Sequence, residues 1–157
     1  MSFTVANLKY LEPTTLRQWF QQGGISNSGN KFIIIDVRDN DYIGGHIKNS
    51  INITSSEISI NSNKILKLAK DKNAKDIIFH CALSQQRGPS SALKFSKFLN
   101  DYFNSNSNNN IKSDDFQFLN DLNIWILKGG FVKWQELYGD DNSVTSDYDK
   151  KIWEFGY

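Results

Sequence analysis

A lone cysteine and an arginine, with five residues between them, hold the chemistry of this chain: His80-Cys81-Ala82-Leu83-Ser84-Gln85-Gln86-Arg87-Gly88-Pro89. A thiolate is a strong nucleophile. A guanidinium presents parallel N–H donors that match two oxygens of a tetrahedral anion. A nucleophile facing an anion binder suggests covalent catalysis on phosphate or a group of similar shape. The plainer reading is an inert, buried thiol beside a surface arginine. Only the surroundings of the two residues argue against it.

Those surroundings read as a strand, a tight loop and a helix. Asp76-Ile77-Ile78-Phe79 has the apolar run of a short buried strand. Pro89 suits the first position of a helix, and Ser90 to Leu99 carries apolar residues at helical spacing. In that order the loop's N–H groups point inward at the helix N-terminus and form an anion cradle. The cradle favours the thiolate of Cys81 at its base, and Arg87 clamps the anion. Ala82, Leu83, Ser84, Gln85 and Gln86 are the substrate-binding positions beside Arg87.

The elements that must carry this loop follow in order. Leu8 to Leu11 suggests a first short strand, and Glu12-Pro13-Thr14-Thr15 opens a helix with Leu16, Trp19 and Phe20 on one face. Gly23-Gly24 ends it, and Ser26 to Asn30 is a loop. Lys31 to Asp36 is an unbroken apolar run, as expected for a strand covered on both faces. Tyr42 to Ile47 reads as a turn, Ser50 to Ile53 as a strand, and Ser56 to Asp71 as a helix. Residues 104–113 are Asn-rich and predict a solvated surface loop. Asp121 to Leu127 is the fifth strand, and Gly129-Gly130 turns into a helix with Phe131, Trp134 and Leu137. The stretch from 139 to 157 is aromatic enough to pack on the domain as a C-terminal extension. Alternating strands and helices predict an α/β fold, with a five-stranded, mainly parallel sheet and helices on both faces. Cys81, Asp36-Val37-Arg38 and Gly129-Gly130 all fall at C-terminal strand ends, where such folds bind ligands.

The length of 157 residues fits one domain, with a core over about residues 8–138. Net charge is +1, which offers no bulk electrostatic case for nucleic acid or membrane partners. One cysteine excludes an intramolecular disulfide, and with two histidines no metal site is expected. No apolar run approaches the roughly 20 residues of a membrane helix. The first residues lack a signal-peptide pattern, and a reactive free thiol suits a reducing compartment. The expectation is a cytoplasmic protein, with the nucleus as a second compartment.

Three segments together resemble the rhodanese fold. They are Ile35-Asp36-Val37-Arg38 with Gly45-His46-Ile47, the Cys81 loop, and Trp125 to Phe131 with Trp134. Within it, His80-Cys81, Ser84 and Arg87-Gly88-Pro89 resemble the cell-division-cycle dual-specificity phosphatase branch, in particular its small single-domain fungal phosphatase and arsenate reductase relatives. The sulfurtransferases of this fold have a loop one residue shorter, suited to a single sulfur atom. The wider loop here implies phosphate-type chemistry.

What the resemblance implies is a phosphatase in which Cys81 attacks phosphorus, a phosphocysteine forms and water hydrolyses it. Arg87 and the loop N–H groups would hold the equatorial oxygens. Ser84 would donate a hydrogen bond to the thiolate or assist its release. His80 would order the loop by hydrogen bonding, Asp36 would cap or brace neighbouring loops, Arg38 would pair with a carboxylate, and Asp39 and Asp41 are the candidates for the general acid. The large phosphatases of the branch carry loop glutamates where Ala82 and Gln86 stand here, so the acid stays unassigned. No cofactor is implied. The partner is a phosphorylated protein or a small phosphate ester, and the loop would also take phosphate, sulfate or arsenate. An arsenate reductase is the alternative, with glutathione as co-substrate and glutaredoxin as partner. A sulfurtransferase and a phosphate-binding module without turnover come after these.

Overall fold

A chain whose strands are apolar on both faces must bury them between two layers of helices. The computed structural model describes residues 8–106 and 113–155, and it shows that arrangement. Strands β1 (Lys9–Leu11), β2 (Lys31–Asp36), β4 (Ile51–Asn52), β5 (Ala74–His80) and β6 (Asn123–Leu127) form one sheet in the order β1-β6-β5-β2-β4. Every pairing in it is parallel. The expected α/β architecture is thus observed. The short strand β3 (His46–Ile47) lies outside this sheet.

Alternation along β2 shows how the two layers are served. Ile33 and Ile35 join Ile77 and Phe79 of β5 in a cluster with Ile58, Ile65 and Leu66 of α2 (Ile58–Lys72) and Ala92, Phe95 and Leu99 of α3 (Arg87–Asn106). Ile34 and Ile78 face the other way, onto Leu16 and Trp19 of α1 (Pro13–Gln21) and Phe131 and Trp134 of α5 (Gly130–Tyr138). No helix among the described residues is long and apolar enough to cross a membrane.

Four local expectations need correction. Helix α3 starts at Arg87, so Pro89 is its third residue. The same helix runs on through Asn104, Ser105 and Asn106 instead of ending in the Asn-rich loop. Phe98, Tyr102 and Phe103 pack against the core from its last turns, and that burial overrides the weak helix propensity of Asn. Ser113, the other end of that predicted loop, opens a helix absent from the sequence reading, α4 (Ser113–Asn120), which buries Leu119; residues 107–112 lie outside the described residues. Lastly, His46–Ile47 is not a turn. It pairs antiparallel with β7 (Thr145–Ser146) from the C-terminal extension.

That extension is pinned at several points. The Trp134 indole N–H donates to Thr145 at 3.0 Å, Tyr148 donates to Gln135 at 2.7 Å, and Trp153 of α6 (Lys150–Glu154) donates to the Gly44 carbonyl at 2.9 Å. Gly44 is required there, because a Cβ would sit 2.6 Å from the Trp153 indole nitrogen. Phe155 is left exposed.

Candidate active site

The C-terminal ends of β2 and β5 deliver two loops to one edge of the sheet. β5 ends at His80, and the chain leaves it as the loop 81–86 before α3 begins. Cys81 is buried at the base. Its Sγ accepts the backbone N–H of Ser84 at 3.1 Å and of Gly88 at 3.4 Å. Two backbone amides thus converge on one sulfur, an arrangement of donors that suits an anion. Ser84 reaches this position with a left-handed φ of 55°. The hydroxyl role expected of Ser84 is not what the geometry shows: its Oγ accepts the Cys81 N–H at 3.4 Å, and the backbone makes the contact to sulfur.

Above the sulfur lies a cavity of about 230 Å³ lined by Cys81, Ala82, Leu83, Gln85, Gln86 and Arg87. Ser84 faces inward and does not line it. Leu83, Gln85 and Gln86 are exposed, whereas Ala82 is buried. The cradle is backed by α5, whose first amides donate to it: Phe131 N–H to the Cys81 carbonyl at 3.0 Å and Val132 N–H to the Ala82 carbonyl at 2.9 Å. A Cβ on Gly130 would come within 2.3 Å of the Ala82 oxygen. Gly129-Gly130 therefore serves the loop through close backbone approach. Paired glycines at a strand end are the sequence signal for it.

Asp36 and Arg38 form a buried ion pair at the end of β2. Arg38 Nη2 donates to Asp36 Oδ2 at 2.7 Å and to the Gly45 carbonyl at 2.9 Å, and Nη1 reaches the carbonyls of Asp41 and Ile43 at 3.4 Å. Its guanidinium lies over the rings of Phe131 and Tyr42. Arg38 thus ties the chain from Asp41 to Gly45 to the core, with Asp36 as its carboxylate partner. Neither Asp36 nor Arg38 lines the cavity.

His80 is fully buried, and its Nδ1 bonds the Cys81 carbonyl at 3.0 Å, which makes Nδ1 the protonated nitrogen. Nε2 has no hydrogen-bond partner among the described residues and stands 3.7 Å from Asp36 Oδ2. Burial dominates and pushes the His80 pKa below its ordinary value, although the Asp36 charge and the Cys81 carbonyl pull the other way. Burial also opposes the Asp36 carboxylate, but the facing His80 and the charge and N–H donors of Arg38 outweigh it and keep that pKa below normal.

These directions predict a pH dependence of stability. The unfolded chain takes up a proton at His80 near pH 6.5, and the folded chain does so only at lower pH. Stability is therefore full above about 6.5 and falls as pH drops below it, with a further loss below about 4 as Asp36 follows the same sign. Thermal midpoints measured from about pH 8 to pH 4 should show the first decline, and His80→Asn should remove it. A wild-type midpoint that stays level down to about pH 5 would rule out this origin.

Asp39 and Asp41, the general-acid candidates, meet a different partner. Arg87 Nη1 and Nη2 donate to the two oxygens of Asp41 at 2.7 and 2.6 Å, and Nη1 also donates to Asp39 at 3.1 Å. Both carboxylates are acceptors from the arginine of the cradle.

A parallel sheet whose central strand ends in a cysteine cradle, braced by an Asp-x-Arg pair from the neighbouring strand, defines a rhodanese-fold protein with a wide, arginine-closed loop. A rhodanese-like domain matches residues 12–137, and the chain belongs to that family. It is 36% identical over 160 residues to the CDC25-like phosphatase YCH1 of Saccharomyces cerevisiae, covering 97% of this chain and 98% of that one. The dual specificity phosphatase ibp1 of Schizosaccharomyces pombe is 32% identical over 146 residues, covering 92% of this chain and 100% of its own. The solved structure of Ygr203w, described as a yeast protein tyrosine phosphatase of the rhodanese family, superposes with a TM-score of 0.76 at 35% identity, covering 97% of this chain and 99% of the other. Arsenate reductase 2.1 of rice is 30% identical over 112 residues, covering 71% of this chain and 61% of its own.

Proposed function

We propose that this protein is a cysteine-dependent phosphatase acting on phosphotyrosine or small aryl phosphate esters. The observation that carries the reading is the convergence of the Ser84 and Gly88 amides on Cys81 Sγ, at the base of a cavity bordered by Arg87. The phosphate of the substrate sits in the cradle with its equatorial oxygens on the loop amides and Arg87. The Cys81 thiolate attacks phosphorus from the side opposite the ester oxygen. An S–P bond forms, the P–O bond breaks, and the aryl oxide departs and takes a proton from solvent. Water then attacks phosphorus, inorganic phosphate is released and the thiolate is restored. Relatives named as phosphatases support this reaction class.

The second reading is arsenate reduction, favoured by the lone Cys81 and by the arsenate reductase relative. The same thiolate would displace water from arsenate. Glutathione would supply the electrons that reduce arsenic, and glutaredoxin would resolve the mixed disulfide.

The deciding experiment is hydrolysis of an aryl phosphate by the wild-type protein, with arsenate as competitor. Turnover inhibited competitively by arsenate supports the phosphatase. A folded protein that leaves aryl phosphates intact but reduces arsenate with glutathione and glutaredoxin overturns that reading in favour of the second.

A further inference from the structure

We propose that Asp41 is the positioning residue of Arg87, and that the buried Asp36–Arg38 pair exists to hold Asp41 in place for it. The proposal rests on the phosphatase reading only for its kinetic arm. Its binding arm applies to any tetrahedral anion in the cradle.

Asp41 receives the end of the Arg87 fork, one oxygen on each terminal nitrogen, at 2.7 and 2.6 Å. A bidentate pair of that kind fixes both the position and the plane of the guanidinium. The edge formed by Nε–H and the outer Nη2–H is the other parallel pair of the group, and it matches two oxygens of a tetrahedral anion. With Asp41 on the first edge, the proposal assigns the second to an anion in the cradle that Arg87 lines.

A carboxylate can also act as a latch that an arriving anion must displace. The loop that bears Asp41 argues against this. Arg38, buried and ion-paired, bonds the carbonyls of Asp41, Ile43 and Gly45 from below. Asp41 Oδ1 accepts the Asp39 N–H at 3.2 Å, and Trp153 closes on Gly44 from outside. A latch requires a segment that swings, whereas this one is tied to the core at three carbonyls. The geometry also speaks against a general acid, since both Asp41 oxygens point at an arginine. Asp39, more exposed and joined to Arg87 by one bond of 3.1 Å, is an accessory to the pair.

The test compares Asp41→Asn, Asp41→Glu and Asp39→Asn with wild type. Sulfate affinity is measured by titration calorimetry, and kcat and KM on one aryl phosphate with a good leaving group and one with a poor leaving group. Asp41→Asn should keep the wild-type fold and melting behaviour, because its side chain is partly exposed. It should weaken sulfate binding and lower kcat/KM by about 10–100-fold, equally for both substrates, as misplacement of a binding group does. Asp41→Glu should recover part of the loss, and Asp39→Asn should cost less than about threefold. Tighter sulfate binding in Asp41→Asn would mean a latch, and a loss concentrated on the poor leaving group would mean a general acid. Either overturns the proposal, as does unchanged sulfate binding. If the wild-type protein hydrolyses neither ester, the phosphatase reading fails, and weakened sulfate binding in Asp41→Asn still sustains the positioning role.

Discussion

Replacing Cys81 by serine is expected to abolish turnover while leaving the protein folded and able to bind anions. The change exchanges one atom at a buried position, Sγ for Oγ, and the serine oxygen can still accept the Ser84 and Gly88 amides. The stability cost should stay near about 1 kcal/mol. The chemical cost is far larger. A hydroxyl at neutral pH is not ionised by two amide donors, and among the described residues no side-chain base bonds this position: the neighbouring imidazole turns its Nδ1 to the Cys81 carbonyl. Aryl phosphate turnover should fall by at least about three orders of magnitude. Three measurements on one preparation check this: turnover, thermal melting and sulfate titration. Residual activity above about one per cent in Cys81→Ser would move the nucleophile elsewhere. Activity lost together with the fold would leave the role of the thiol open to a second variant, Cys81→Ala, which keeps the volume small and removes every nucleophile.

Replacing Asp36 by alanine is expected to have the largest effect on stability. Both partners of the Asp36–Arg38 pair are inaccessible to solvent, with Nη2 to Oδ2 at 2.7 Å. Removing the carboxylate leaves a guanidinium in the core with carbonyls and rings around it but no counter-charge. Breaking a buried pair from one side costs about 3–5 kcal/mol. For a chain of this size that lowers the melting temperature by roughly 10 °C. The double variant Asp36→Ala/Arg38→Met removes both charges and should be less destabilised than the sum of the single changes. A loss under about 1 kcal/mol in Asp36→Ala would mean that the guanidinium finds solvent or another acceptor, and the bracing of the Asp41 loop would lose its foundation. With the loop loosened, sulfate binding should weaken as well, although neither Asp36 nor Arg38 lines the cradle.

The two variants differ in how readable their sites were. The strand, loop and helix around Cys81 follow from local signals: an apolar run, a loop of fixed length and helical spacing after it. The Asp36–Arg38 pair is two residues apart in sequence, so its pairing was also within reach. The partner of Arg87 was not. Asp41 lies 46 residues away, and a solvated turn carboxylate, a general acid and an arginine clamp all look alike in sequence. Ser84 shows the same limit on a smaller scale, because residue type suggested a hydroxyl donor while the left-handed backbone turned the amide to the sulfur.

What the sequence by itself determined is the α/β order, the parallel sheet, and the gathering of Cys81, Arg38 and Gly129-Gly130 at one edge. Each of these rests on periodicity and spacing within a few residues, where the choice of strand or helix decides the geometry. Only the tertiary structure decided that the C-terminal extension would pair β7 with β3, that α3 would run on into the Asn-rich stretch, and that Asp41 would hold Arg87. These depend on which distant surfaces meet. Contact between segments far apart in the chain leaves no local period, and it appears only once the sheet has brought the ends together.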